Sequence, residues 1–198
     1  DILNIDCIYE SNIVDNYFVF NKEAYNNSLE SRFHYSKDYV VGLANDMKNS
    51  LRHQKYKIDT PPILYASTTL YCGNRGIPSR SGSSDLSKAK LELLIINKVL
   101  SKIPHLVQYK PYFSKRYVGP IIELVEAEKK RNITVNYDEI DLRYIIGNSR
   151  IIITSRATST IGWCILSNRP VIYIEGEDNR LSKTARQAFK NNLYFFDI

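Results

Sequence analysis

Five polar residues follow a short apolar run in the last quarter of the chain, and their types suit the binding of an anion. The run Arg150–Thr154 (RIIIT) precedes Ser155, Arg156, Thr158, Ser159 and Thr160. The pattern predicts a strand followed by a helix that begins at Thr158–Thr160, where backbone N–H groups lack partners and the helix dipole is positive. Hydroxyl groups and an arginine at that place are suited to hold a phosphate. N-capping by Thr158 without any ligand is the plainer alternative.

Two further strand ends carry groups that can contact a phosphate. Thr68 follows the apolar run Ile63–Ser67, and a loop at 71–86 contains Arg75 and Arg80 among glycines and serines. Small residues let N–H groups approach an anion, and arginine side chains can grip it in a fork. Lys110 ends the run His105–Tyr109 and can contact a phosphate in the same way. For Arg75, Arg80 and Lys110, the alternative is an ordinary solvated charge on the protein surface.

A nucleobase could be read at the loop Asn136–Glu139, which follows the apolar run Ile133–Asn136. Tyr137 could stack on a base, and Glu139 and the backbone here could face its edge. The chain has 15 tyrosines, so a structural Tyr137 and an Asp138 that only caps the next helix form the alternative.

The elements that position these loops alternate between strand and helix patterns. Apolar runs at 63–67, 105–109, 133–136, 150–154, 170–174 and 193–196 are separated by helical patterns at 87–102, 117–130, 139–147, 159–167 and 181–190. Continuous apolar strands joined by helices indicate a parallel sheet covered on both faces. We therefore predict an α/β, doubly wound, Rossmann-like layer, with ligands beyond the carboxyl ends of its strands and Ser87 as an N-cap.

The first 55 residues are less regular. Short strands are predicted at 17–20 and 39–41, with a helix at about 23–33 between them. We expect residues 1–55 to form a link packed on the domain of residues 56–198. The chain begins with Asp1 and has Met47 as its only methionine, so we expect it to be a piece of a larger protein.

Composition narrows the function classes. The net charge is +6, but residues 1–50 carry −4 and residues 51–198 carry +10, which favours an anionic partner such as nucleic acid, a membrane surface or a phosphorylated small molecule. No apolar run reaches the ~18 residues of a membrane span. The three cysteines are far apart, and the three histidines lack metal-ligand spacing. The sequence also lacks the P-loop signature of NTPases, the glycine-rich signature of dinucleotide-binding domains and the nucleophile-elbow signature of hydrolases.

Four stretches in order resemble the C-terminal, donor-binding half of a GT-B glycosyltransferase, with bacterial capsule Kdo transferases and CDP-glycerol glycerophosphotransferases as the nearest groups. They are DYVVGLANDM at 38–47, YASTT at 65–69, LVQYKPY at 106–112, and LRYIIGNSRIIITSRATSTIGWCILSNRPVIYIEG at 142–176. The resemblance covers about residues 38–198.

The resemblance implies a transferase of bacterial surface polysaccharide synthesis that uses a nucleotide-activated sugar or polyol phosphate as substrate, without cofactor or metal. Thr158, Ser159 and Thr160 would hold its phosphates, with Thr68 and Lys110 lining the same cleft. The turn formed by Glu175, Glu177 and Asp178 would approach the ribose or the sugar. The implied location is cytoplasmic, with peripheral membrane contact at the inner face, and no specific nucleic acid is implied.

One departure concerns Tyr112, which stands in Lys110-Pro111-Tyr112 where the family has a histidine that contacts the donor phosphate or assists the leaving group. His105 lies too early, at what we expect to be the buried end of its strand. The acceptor half that usually supplies the base is also outside these residues. We therefore expect the fragment to bind nucleotide without turnover, and we leave its catalytic residues unassigned. A nucleotide-sugar epimerase, a non-catalytic domain of the same fold and a nucleic-acid-binding module are the competing functions.

Overall fold

The computed structural model describes residues 13–30, 34–43, 59–70, 84–112 and 130–198, except for the side chain of Asp178. The chain divides into two compact units, Asp1–Asn49 and Ser50–Ile198. The predicted link at 1–55 and its packing on the larger domain stay predictions. No helix in the described ranges combines the length and apolar character that crossing a membrane requires.

The smaller unit contains one strand–helix–strand element. Strand β1 (Asn16–Val19) pairs in parallel with β2 (Lys37–Val40), and helix α1 (Lys22–Leu29) joins them. Asn21 caps α1, because its side chain accepts the N–H of Ala24 at 2.7 Å. The predicted strands at 17–20 and 39–41 are confirmed within two residues, whereas the helix ends earlier than the expected 33.

The larger unit alternates strands and helices as the sequence predicts. Its described strands are β3 (Ile63–Ala66), β4 (Val107–Lys110), β5 (Ile133–Val135), β6 (Ile151–Thr154), β7 (Val171–Glu175) and β8 (Tyr194–Asp197). Its described helices are α2 (Asp85–Lys98), α3 (Leu142–Ile145), α4 (Ser159–Leu166) and α5 (Lys183–Phe189). Short 3₁₀ turns lie after α2 at Leu100–Lys102, after α3 at Ile146–Asn148 and after β7 at Glu177–Asn179.

The six strands of the larger unit form one parallel sheet in the order β5-β4-β3-β6-β7-β8. The chain starts in the middle at β3, builds outward to β5, returns to β6 and builds outward again to β8. This is the doubly wound, Rossmann-like order, so the predicted fold class is confirmed.

Alternating strand residues pack on opposite faces of the sheet. Tyr65 and Ile153 pack with Ile95 and Ile96 of α2, whereas Leu64 and Ile152 pack on the face covered by α3 and α4. The central strands β3, β4, β6 and β7 are largely buried on both faces, as parallel sheets covered by helices require, whereas the edge strands β5 and β8 are partly exposed.

The predicted bounds of two helices were wrong because the capping residues differ from those expected. Ser84, not Ser87, caps α2, because the Ser84 Oγ accepts the N–H of Ser87 at 3.1 Å. Asp141 caps α3 in the same way, accepting the N–H of Arg143 at 3.0 Å. The predicted helix at 139–147 shrinks to one turn of α-helix and a 3₁₀ turn. The predicted helix at 117–130 lies outside the described residues except for Lys130.

Two glycines offer a matched test of the packing. A methyl group at Gly176 would lie 2.9 Å from Leu91 Cδ1 and 3.3 Å from Asn179 Oδ1, whereas one at Gly162 in α4 meets nothing within 4 Å. We expect Gly176→Ala to lower the free energy of unfolding by about 1–3 kcal/mol. Gly162→Ala should raise it by about 0.5–1 kcal/mol, since alanine favours a helix interior. Urea denaturation measures both, and equal effects of the two changes would contradict the packing.

Candidate functional site

The strand order places a crevice between the carboxyl ends of β3 and β6. These strands are neighbours, yet the chain leaves β3 toward α2 on one face and leaves β6 toward α4 on the other. Such a reversal opens a crevice at the carboxyl edge, which is where open α/β sheets bind ligands. Ser67–Leu70 follow β3 and Ser155–Thr158 follow β6, so these segments flank the crevice that the rule predicts, which we call the switch-point crevice.

The start of α4 supplies hydroxyl groups to this crevice. Thr158 is the N-cap, and its Oγ1 accepts the N–H of Thr160 at 3.4 Å. Ser159 is exposed and Thr160 is half-buried, so their hydroxyls stand at the positive end of the helix dipole. Capping by Thr158 is therefore observed, and phosphate binding by the three residues stays a prediction.

Hydrogen bonds from Asn179 fix the backbone before α4. Its side-chain amide donates to the carbonyl oxygens of Ser155 and Ile174, and its Oδ1 accepts the N–H of Gly176. The Tyr173 hydroxyl in turn donates to the Asn179 carbonyl at 3.1 Å. Asn179 thus ties the loop after β7 to the loop after β6 and sets the path of the chain into α4.

A buried carboxylate on α2 is bonded to residues at the carboxyl ends of β3 and β4. Glu92 is 1% exposed. Its Oε2 accepts the Tyr65 hydroxyl at 2.7 Å, and its Oε1 accepts Ser67 at 2.6 Å and Tyr109 at 2.7 Å. The Tyr65 oxygen also lies 3.2 Å from the Ser155 Oγ. We call Glu92, Tyr65, Ser67, Tyr109 and Ser155 the carboxylate cluster; it joins α2 to the ends of β3, β4 and β6.

Burial dominates the electrostatics of the carboxylate cluster. It raises the pKa of Glu92, an effect that the three hydroxyl donors and the positive charge of Arg156 oppose. Burial and the neighbouring Glu92 charge raise the pKa of Tyr65 and of Tyr109 well above the usual tyrosine range, so both phenols keep their protons. Glu92 is thus the titrating member.

Sequence reasoning missed Glu92 and Asn179. Glu92 stands among the inward-facing residues of α2, since Ile95 and Ile96 one turn later are fully buried. A lone acid at a core position of an amphipathic helix was the available signal. The tie that Asn179 makes to the loop after β6 had no such signal, because Ser155 lies 24 residues away in the chain.

Lys110 is 5% exposed, and its Nζ donates to the carbonyl oxygen of Asp138. That bond draws the Asn136–Glu139 loop toward the end of β4, which brings two predicted regions together. Burial lowers the pKa of Lys110, whereas Asp138 and Asp141 act in the opposite direction. Lys110 therefore joins the end of β4 to the loop after β5, and direct phosphate contact by Lys110 stays a prediction.

Tyr137 and Glu139 are exposed in the loop that follows β5, and Thr68 is half-buried after β3. Asp138 does not cap the next helix, because Asp141 does. The predicted contacts of Tyr137 and Glu139 with a base and of Thr68 with phosphate stay predictions.

The structure gives Glu175 internal partners. This residue is 1% exposed, accepts the N–H of Leu181 at 3.0 Å and pairs with Arg186. Its predicted approach to the ribose or sugar is untested, whereas Glu177 is exposed at the same turn.

The side chain of Asp178 and the whole of Arg75 and Arg80 lie outside the described residues. Arg156 is half-buried at the crevice and is close enough to influence Glu92 and Tyr65.

Other reactive groups of the described residues differ widely in exposure. Burial raises the pKa of the Cys164 thiol to about 12, so it stays protonated. His105 is exposed before β4, which corrects the expectation that it is buried. Tyr112 is also exposed, at 58%. Within the described ranges, His, Cys, Asp and Glu do not gather into a group of three or more that could hold a metal ion.

No protein-family model matches the chain, and a search of curated proteins found no match. Among solved structures, the chain is similar to the pneumococcal O-GlcNAc transferase GtfA in complex with UDP and GlcNAc, with a TM-score of 0.47 and 15% identity over 92% of this chain and 33% of that one. A GtfA/B complex gives a TM-score of 0.41 and 14% identity over 96% of this chain and 36% of that one. The chain spans about a third of the length of these proteins.

Removal of the Asn179 amide tests the support of the crevice. Asn179→Ala leaves two buried carbonyl groups and one N–H without their partner, so we expect a loss of about 2–4 kcal/mol in the free energy of unfolding. Asn191→Ala, at an exposed turn position, should change it by less than about 0.5 kcal/mol. Urea denaturation compares them, and a neutral Asn179→Ala would contradict the anchoring role.

The Glu92 carboxyl predicts a pH-dependent stability. Because its pKa is raised in the folded protein above the usual 4.5, the folded state holds the proton more tightly than the unfolded chain. Wild-type stability should therefore fall relative to Glu92→Gln as pH rises from about 4.5 toward the raised pKa, by at most about 1.4 kcal/mol per pH unit. Denaturation across this range, with Glu23→Gln on α1 as the control for an exposed acid, measures the difference. Parallel wild-type and Glu92→Gln profiles would rule it out.

Proposed function

We propose that this chain is the donor-binding half of a GT-B-type glycosyltransferase, which binds a nucleotide-activated sugar or polyol phosphate in the switch-point crevice. The observation that carries the proposal is the position of Thr158, Ser159 and Thr160. Three successive hydroxyl residues begin a helix at the one place in the described sheet where the winding direction reverses. The motif resemblance of residues 142–176 supports the same assignment.

Charge stabilisation is the chemistry that such a site would supply. When the sugar or phosphoryl group transfers, negative charge grows on the leaving nucleotide phosphate. N–H groups at the start of α4, the hydroxyls of Ser159 and Thr160, and the charge of Arg156 would oppose that growth. Because these groups are held by Asn179 and by the carboxylate cluster, little reorganisation accompanies the reaction.

The other parts of the donor are assigned to loops near the crevice. The Asn136–Glu139 loop, drawn in by Lys110, would take the nucleobase, and Glu177 would approach the donor sugar. The acceptor and the general base would come from a second domain of the whole protein, so the chain alone binds donor without turnover. A role in bacterial surface polysaccharide synthesis at the cytoplasmic side of the membrane, without a metal, completes the proposal.

Calorimetric titration with CMP, CDP, UDP and GDP tests donor binding directly. We expect one class to bind, and Ser159→Ala combined with Thr160→Ala to weaken that binding by about tenfold, from ~1–2 kcal/mol of lost hydrogen bonds. The matched control is Ser101→Ala combined with Thr134→Ala. It removes two hydroxyls remote from the crevice, since Ser101 precedes β4 and Thr134 lies within β5.

The control should bind as the wild type does, and both double variants should stay folded by circular dichroism. Unchanged nucleotide affinity in the folded Ser159/Thr160 variant would contradict phosphate binding at the start of α4. Lack of binding to all four nucleotides would contradict the donor-binding function. In that case, RNA binding with a steep salt dependence would identify a nucleic-acid-binding module instead.

A further inference from the structure

On the face of the sheet that α2 covers, the edge strand β8 is open to solvent. Helices α3, α4 and α5 pack against the opposite face, and α2 packs over the centre of this one. Exposure rises from β7 to β8, from 0% at Ile174 to 48% at Phe196 and 67% at Tyr194. Among the described residues, no second helix lies beside α2 to cover these aromatic rings.

The strand register shows that both rings belong to the α2 face. Tyr194 pairs with Ile172, and Phe196 pairs with Ile174. Paired residues of neighbouring strands point to the same face of a sheet. Because Ile172 and Ile174 pack in the core on the side of α2, Tyr194 and Phe196 lie on that side as well. We call Tyr194 and Phe196 the aromatic row.

A groove of about 340 Å³ lies between α2 and the ends of β7 and β8. Leu91 and Leu94 line it from α2, and Ile198 lines it from the sheet. A methyl group at Gly176 would lie 2.9 Å from Leu91 Cδ1 and 3.8 Å from Ile198 Cγ2, so the two sides meet at the Gly176 backbone. The groove is therefore a concave surface with aliphatic side chains on both sides, next to the aromatic row.

Opposite charges stand on the two sides of the groove. Lys90 is exposed on the α2 side, and Glu177 is exposed on the sheet side, just after β7. In two copies related by a two-fold axis, the α2 side of each copy can face the sheet side of the other. The surface is therefore complementary in charge to a second copy of itself, at two equivalent places.

We propose that this surface joins two copies of the chain into a symmetric dimer. Lys90 pairs with Glu177 of the partner subunit, and the aromatic row of each copy covers the apolar groove of the other, because the row and Glu177 are on the same side of the groove. The inference goes beyond the proposed function, since the interface lies on the α2 side of β7 and β8 and does not use the hydroxyls at the start of α4.

The size of the surface predicts a weak dimer. A Tyr or Phe side chain buries roughly 150–250 Å² when it is enclosed. At their exposures of 67% and 48%, Tyr194 and Phe196 can add about 200 Å² per copy, or about 400–500 Å² in the dimer. This is about a third of a standard interface of about 1,600 Å², and the groove has to supply the rest. We therefore expect a dissociation constant in the micromolar range.

Sedimentation of the full chain between about 1 and 100 μM tests for the dimer. We expect the mass to rise from that of a monomer toward that of a dimer across this range. Tyr194→Ser and Phe196→Ser should each weaken association at least tenfold, because each removes two rings from a symmetric interface. The matched control is Tyr144→Ser, since Tyr144 is 58% exposed on α3 at the opposite face of the sheet. It should associate as the wild type does.

Charge reversal identifies the pairing itself. Lys90→Glu and Glu177→Lys each place like charges together twice in a dimer, so each variant alone should associate at least tenfold more weakly than the wild type. An equal mixture of the two variants should associate again, because both contacts of the mixed dimer then join opposite charges. Lys183→Glu, at an exposed position on α5, is the control for a change of net charge and should leave association unchanged.

Every result of these measurements decides the inference. A chain that stays monomeric over the whole range overturns it, and the groove then has a different occupant. A dimer that persists in folded Tyr194→Ser and Phe196→Ser also overturns it, as does a mixture of the charge variants that fails to associate. Circular dichroism confirms that each variant is folded. Titration with nucleotides tests the donor site separately, so a monomeric chain that binds a nucleotide loses the dimer and keeps the donor site.

Discussion

Burial of the Glu92 carboxylate is the constraint on which the rest of the larger unit depends. Removing a carboxylate from water is costly unless several donors replace its hydration shell. The donors come from Tyr65, Ser67 and Tyr109, on two strands and the loop that follows one of them. Helix α2 therefore cannot shift along the sheet without leaving a buried charge or a buried hydroxyl unsatisfied. The same set of bonds fixes the ends of β3 and β4, at the edge where the topology opens its crevice.

A parallel sheet concentrates polar side chains at its carboxyl edge, and here those side chains serve structure before function. Asn179 satisfies the backbone after β6, Lys110 holds the loop after β5, and Glu175 binds the segment leading into α5. Each residue is buried at 8% exposure or less. An outer set of less buried groups, Thr68, Arg156 and Ser159, remains to face the crevice. The inner set makes the outer set rigid, and a rigid array of donors is what transition-state stabilisation requires.

The sequence was sufficient for the fold because the fold depends on local patterns. Runs such as Ile151–Ile153 have no polar interruption, and helical patterns separate them, so the doubly wound fold class followed from connection rules. Bounds were wrong where two residues compete for one role, as Ser84 and Ser87 did for the cap of α2. Glu92 and Asn179 could not be assigned from spacing alone. Their partners include Tyr65 and Ser155, which are 27 and 24 residues away and come close only after the sheet is assembled.

The positive charge of the larger unit takes a different meaning in the structure. Lys110 was expected to touch a ligand, but its ammonium group is bonded to the Asp138 carbonyl within the wall. Arg156 is half-buried, and its positive charge acts to lower the pKa of the buried Glu92 carboxyl. Among the residues that the structure describes at this edge, Lys110 is buried and Arg156 is half-buried, so neither is a fully exposed cation. The exposed or half-buried groups that the structure describes after β6 include the hydroxyls of Thr158, Ser159 and Thr160 together with the guanidinium of Arg156. Hydroxyl groups need a definite hydrogen-bond direction and an arginine presents a planar fork, so a surface of this kind would recognise an anion by its geometry more than a cluster of lysines would.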